Sequence, residues 1–121
     1  MSPQLIDHFR SPRNVGELAA PAFTVEVSNP VCGDILRLSI RMEAGRVAEA
    51  AYKVRGCAAS IGAGSALTEL CAGCDAAGLA AISRQTVEYA VGGLTNESKH
   101  AAALCVDAVR AILKLCGEPS R

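Results

Sequence analysis

A chain of 121 residues that is 50% hydrophobic can bury a core as one domain, taken here as residues 1–121, without help from disulfides. Its 12 basic and 12 acidic residues give a formal net charge of +0, and with 3% aromatic residues and no Trp it has neither the field nor the stacking platforms of a nucleic-acid binder. No stretch approaches the roughly 18 apolar residues of a membrane span, and the N-terminal residues lack the apolar run of a signal peptide, so no membrane partner and a cytoplasmic location are expected.

Residues 2–10 read as a short helix closed by Ser11-Pro12, because proline disfavours helical geometry in the residue before it. A loop through Asn14-Val15-Gly16 follows. Phe23, Val25 and Val27 alternate with polar residues, and so do Leu36, Leu38, Ile40 and Met42; a period of two marks half-buried strands. After the turn-like Glu43-Ala44-Gly45-Arg46, a third run sets Ala48, Ala50, Tyr52 and Val54 inward against Glu49, Lys53 and Arg55. Three strands in meander order imply an antiparallel sheet. From Ala58 the pattern is helical and ends near Gly73, a residue suited to a C-cap; Asp75 and Ser83 are plausible N-caps of two short helices. A long last helix spans Lys99 to Leu115, with Leu104, Ala108, Ile112 and Leu115 on related faces. Strands first and helices after predict an α+β fold, one three-stranded sheet covered on one face by helices.

Six cysteines in a chain expected in a reducing compartment point to metal, sulfur or redox chemistry and not to a disulfide framework. Cys32 sits in Asn29-Pro30-Val31-Cys32-Gly33-Asp34, where proline stiffens and glycine frees a loop that offers a thiol and a carboxylate together. Cys57 sits in Gly56-Cys57-Ala58-Ala59-Ser60, where the third strand hands over to a helix whose positive N-terminal end favours thiolate. A free cysteine is often a small buried hydrophobe, so each motif alone is ambiguous. Together they place two thiols and Asp34 at one sheet edge, and mixed Cys, Asp and His ligation suits zinc or an iron–sulfur cluster.

Four segments carry a resemblance to the IscU/NifU-type iron–sulfur cluster assembly scaffolds over nearly the whole chain. They are Leu5-Ile6-Asp7-His8-Phe9 with Pro12-Arg13-Asn14-Val15-Gly16, the Cys32 motif, the Cys57 motif running to Ser65 and Glu69, and the Lys99-His100 helix. The resemblance implies a SufE/NifU-like fold and a scaffold without catalysis of its own. Such a scaffold accepts sulfur from a cysteine desulfurase, assembles a [2Fe-2S] cluster and passes it to apo client proteins. It also implies that Cys32, Asp34, Cys57 and His100 are cluster ligands, with zinc as an alternative occupant.

The departures lie near the last helix. Asp107-Ala108 aligns with the family's Asp-Ala pair and His100 with its His, but Ala101 stands where the family has its third cysteine. Cys105 lies one turn beyond Ala101, about 6 Å along the axis, and about 140° around the helix from His100, so it shares a metal with His100 only if His100 precedes the helix proper. Cys105 is therefore either a further ligand or a core residue beside Leu104, Ala108 and Val109. The family's proline-rich chaperone-recognition motif is replaced by Thr95-Asn96-Glu97-Ser98, which removes the ground for expecting an Hsp70-type chaperone. Cys71-Ala72-Gly73-Cys74 is a CxxC that ends a helix where a redox pair would start one, and Cys116 belongs to no motif. Two rival readings remain: a zinc-bound persulfide acceptor that partners the desulfurase, and a zinc-stabilised interaction module without chemistry.

Overall fold

The computed structural model describes residues 2–30 and 33–116. Helix α1 (Pro3–Arg10) begins where Ser2 accepts a hydrogen bond from the Leu5 N–H and Pro3 supplies a helix-ready φ at the first position. It turns Leu5 and His8 into the protein, and Ser2 also bonds to the carbonyl of Val91. Strands β1 (Phe23–Ser28), β2 (Ile35–Glu43) and β3 (Arg46–Arg55) form the expected antiparallel sheet in that order. Its register stacks Val25, Leu38 and Tyr52 across one face, beside Phe23, Ile40 and Ala50. The β2–β3 hairpin turns on two residues, Ala44 and Gly45, with φ of 53° and 78°, the handedness that matches strand twist.

One detail of β3 differs from the alternation expected of it. A bulge between Arg41 and Met42 pairs Met42 with Val47, so Val47 is buried and Ala48 is exposed. A residue inserted opposite a strand shifts its inward set by one, and periodicity alone cannot show where.

Helices α2 (Ala58–Cys71) and α5 (His100–Leu115) cover the apolar face of the sheet, with α3 (Ala76–Ala80) and α4 (Arg84–Ala90) between them in the chain. Asp75 and Ser83 cap α3 and α4 through bonds from Gly78 and Thr86 N–H, as their residue types predict. The core joins Leu36, Leu38, Ile40 and Tyr52 of the sheet to Leu67, Leu104, Val109 and Ile112 of the helices. The outer face is polar, and Arg37 and Arg41 each bridge two glutamates. Among the described residues no helix is long and apolar enough to cross a membrane.

Close packing explains why α2 tolerates glycines that weaken an isolated helix. A Cβ at Gly62 would fall 2.5 Å from Leu5 of α1, and one at Gly64 would fall 2.5 Å from the Tyr52 ring. That ring is fixed by its hydroxyl, which donates to the Ile61 carbonyl at 2.7 Å, so it cannot retreat. Alanine at Gly64 gains about 1 kcal/mol of helix propensity but loses about 1–3 kcal/mol to overpacking. We predict that Gly64→Ala lowers the urea midpoint; an unchanged or higher midpoint would mean that Tyr52 does not press on α2.

Candidate metal centre

Three element junctions meet at one end of the sheet. Asp34 immediately precedes β2, closing a tight loop in which the Asn29 N–H donates to the Asp34 carbonyl at 2.9 Å and the Gly33 N–H to the Asn29 carbonyl at 2.7 Å. Gly33 has a φ of +77°, a left-handed conformation that glycine adopts without strain. Cys57 is the N-cap residue of α2, but its side chain makes no capping bond and stays exposed. His100 is the first residue of α5, entered through a 3-10 turn over Asn96–Ser98.

The thiol, carboxylate and imidazole of these residues converge. Cys57 Sγ lies 3.4 Å from Asp34 Oδ2 and 3.6 Å from His100 Nε2, and His100 Nε2 lies 3.3 Å from Asp34 Oδ2. His100 Nδ1 sits 2.9 Å from the Glu97 carbonyl, which can only accept, so Nδ1 carries a proton and Nε2 faces the other two groups, where it can donate to Asp34 with a proton or offer its lone pair to a metal without one. A backbone carbonyl holding the far nitrogen is the usual way of fixing a metal-binding histidine.

Asp34 is 6% exposed and is surrounded by donors. The Ser60 hydroxyl donates to its Oδ2 at 2.7 Å. Burial alone pushes the Asp34 carboxyl up, but bonds from Ser60, from the Cys57 thiol and backbone N–H, and from His100 outweigh it and leave the group below its ordinary value of 3.8. Asp34 is thus a carboxylate at neutral pH, ready as a ligand.

The fit to a metal ion can be judged from the spacing. Zinc with one sulfur at about 2.3 Å and nitrogen and oxygen near 2.05 Å, in a tetrahedron, separates its ligand atoms by about 3.3–3.6 Å. The three ligand-atom separations run from 3.3 to 3.6 Å. Among the described residues, Asp34, Cys57 and His100 form the one such group of three or more potential ligands.

The remaining sequence candidates fall elsewhere. Cys32 lies outside the described residues, two positions before Asp34 in the chain. Cys105, carried forward as a further possible ligand, is 1% exposed in the core, and burial pushes its thiol well up. His100 starts α5, so Cys105 points from the opposite side of the first turns toward the sheet and helices, and Ala101 is wholly buried as well. Cys71 is also core, its thiol raised to about 12 by burial, with Cys74 nearby adding to the rise. Cys74 is half-buried and donates to the Leu70 carbonyl at 3.2 Å. His8 is buried, with Nδ1 2.8 Å from Ser65 and Nε2 3.5 Å from Glu69, so the pair fastens α1 to α2.

Two contributors to the site were not anticipated. A Cβ on Gly56 would lie 2.5 Å from Asp34 Cγ and 2.7 and 2.9 Å from its oxygens, so the glycine before Cys57 makes room for the carboxylate. Ser60 occupies the third helical position of α2, from which a short side chain reaches back to the N-terminus. That position was the available signal; what it holds there is a residue distant in sequence.

The model of the family described as the NifU-like N terminal domain matches residues 1–116. A bifunctional protein NifU/MnmA of Rubrobacter xylanophilus is 42% identical over 109 residues, which cover 88% of this chain and 22% of that protein. Iron-sulfur cluster assembly scaffold protein IscU 1 of Archaeoglobus fulgidus is 36% identical over 109 residues, covering 90% of this chain and 71% of its own length. The crystal structure of a NifU-like protein, N-terminal, from Brucella abortus shares the fold, with a TM-score of 0.76 at 21% identity over 98% of this chain and 95% of that one.

The wedge at Gly56 yields a test independent of any metal. Gly56→Ala should cost about 1–3 kcal/mol in urea denaturation through its clash with Asp34. In an Asp34→Ala background the same change should be near neutral. An equal cost in both backgrounds would show that the glycine serves something other than the carboxylate.

Proposed function

Because the chain belongs to the NifU-like N-terminal domain family, we propose that it is an iron–sulfur cluster assembly scaffold. In this reading one domain over residues 1–121 binds iron and sulfide as a [2Fe-2S] cluster and passes the cluster to apo client proteins in the cytoplasm. The single observation that carries the reading is the convergence of Asp34, Cys57 and His100 at one exposed end of the sheet. Cys32 is assigned as the fourth ligand, since it lies two positions before Asp34 in the chain.

Each residue has a distinct part. Cys57, exposed on a helix N-terminus, receives sulfur: its thiolate attacks the terminal sulfur of a persulfide on a cysteine desulfurase, forms an S–S bond and releases the donor's thiolate. Asp34 and His100 supply oxygen and nitrogen ligands, which bind iron less tenaciously than thiolates and leave the cargo easier to pass on. The protein acts as a carrier. A chaperone of the Hsp70 type is not assigned as a partner, since Thr95-Asn96-Glu97-Ser98 stands where the family's proline-rich motif is expected.

The spacing of the three ligand atoms favours a second occupant, zinc, held at the same residues. In that case the protein is a zinc-bound persulfide acceptor; in either reading the chain purified in air should carry about one zinc or no metal, because a cluster with so few sulfur ligands is labile to oxygen.

Anaerobic reconstitution with ferrous iron and sulfide, read by visible absorption and Mössbauer spectroscopy, tests the scaffold reading. We expect cluster formation in the native chain and its loss in Cys32→Ala and Cys57→Ala, with the melting temperature of Cys57→Ala little changed because Cys57 is exposed. Native cluster yield in the Cys57→Ala protein would overturn the assignment.

A further inference from the structure

Ser60 is the buried polar residue at the site that the proposed function leaves without a part. It is 2% exposed, and its hydroxyl makes the shortest contact of the group, 2.7 Å to Asp34 Oδ2. The alternative is that Ser60 merely completes the helix start. That work is already done: the Cys57 backbone N–H, the donor that a side chain at this helical position would reach back to accept from, is bonded by the Asp34 carboxylate itself. Ser60 therefore holds the carboxylate.

The consequence is directional. A carboxylate oxygen has two lone pairs, and the Ser60 hydroxyl engages one of them on Oδ2. The same oxygen is the atom that faces Cys57 Sγ at 3.4 Å and His100 Nε2 at 3.3 Å. What remains of its accepting capacity points to where a cation would lie. Gly56 closes off the other side of the carboxylate, since even a methyl group there would overlap both of its oxygens. Asp34 is wedged between Gly56 and the Ser60 hydroxyl and presents Oδ2 in one direction.

We propose that Ser60 is a positioning residue which orients Asp34 Oδ2 as a single-oxygen ligand toward Cys57 and His100 and so sets how tightly the site holds a divalent metal ion. The proposal rests on the reading of Asp34, Cys57 and His100 as a metal site. Residues that bond to the ligands of a metal typically change its affinity about 10–100-fold when removed, and Ser60 is placed to act this way.

Zinc affinity, measured on the full chain by competition with a chromophoric chelator, tests it, with cobalt(II) absorption reporting coordination geometry. Ser60→Ala is expected to weaken zinc about 10–100-fold and to alter the intensity of the cobalt d–d bands. In an Asp34→Ala background, Ser60→Ala should have no further effect. The isosteric pair Ser60→Thr and Ser60→Val differs only in the hydroxyl, so any strain from the added carbon is common to both; threonine should bind zinc at least tenfold more tightly than valine. Equal affinity in that pair, or an undiminished effect of Ser60→Ala without Asp34, would overturn the proposal while leaving the metal site standing. A native chain that binds neither zinc nor cobalt would overturn the metal site and the proposal with it.

Discussion

A carboxylate at 6% exposure cannot persist without donors, because taking its charge out of water costs several kcal/mol unless hydrogen bonds replace the water. Asp34 meets that requirement by recruiting donors from the two helix starts around it. Ser60 and the Cys57 N–H come from the start of α2, and His100 from the start of α5. This one buried charge ties the entry to β2 to the N-termini of the two helices that cover the sheet. The position of Cys57 and His100 relative to each other follows from their both meeting Asp34.

The rest of the fold supplies rigidity behind that junction. α2 is held from one side by Leu5 and His8 of α1 and from the other by Tyr52 of β3, with Gly62 and Gly64 cut back to receive them. The loop at Asn14–Gly16 docks on the edge of β3 through the backbone of Tyr52, so the same residue braces both strand and helix. Rigid elements present ligands more precisely than loops do, and two of the three converging side chains stand at helix starts. Of the three, Cys57 alone is exposed, which suits the sulfur-accepting role proposed for it.

Much of this was legible in the sequence because it depends on local patterns. Alternation at Phe23–Val27 and Leu36–Met42, the Ala44-Gly45 turn and the caps at Asp75 and Ser83 each follow from the chemistry of a few neighbouring residues. The gathering of Asp34, Cys57 and His100 was legible through the Cys motifs and the family resemblance. The inward choice of Val47 over Ala48 was not, because a bulge leaves no mark on periodicity. Cys105 was ambiguous until the start of α5 at His100 fixed which way it faces. The partner of Ser60 and of Gly56 could not be read from the chain, since what each meets is Asp34, more than 20 positions away.

In the proposed scaffold Asp34, Cys57 and His100 surround one metal position. Zinc K-edge X-ray absorption on the zinc-loaded chain tests it most directly, because it counts sulfur and lighter ligands separately. The expected result is one or two sulfurs bound to zinc with nitrogen and oxygen making up the remainder, changed toward sulfur in Asp34→Cys. Zinc bound without sulfur, or by sulfur alone in the native chain, would contradict it.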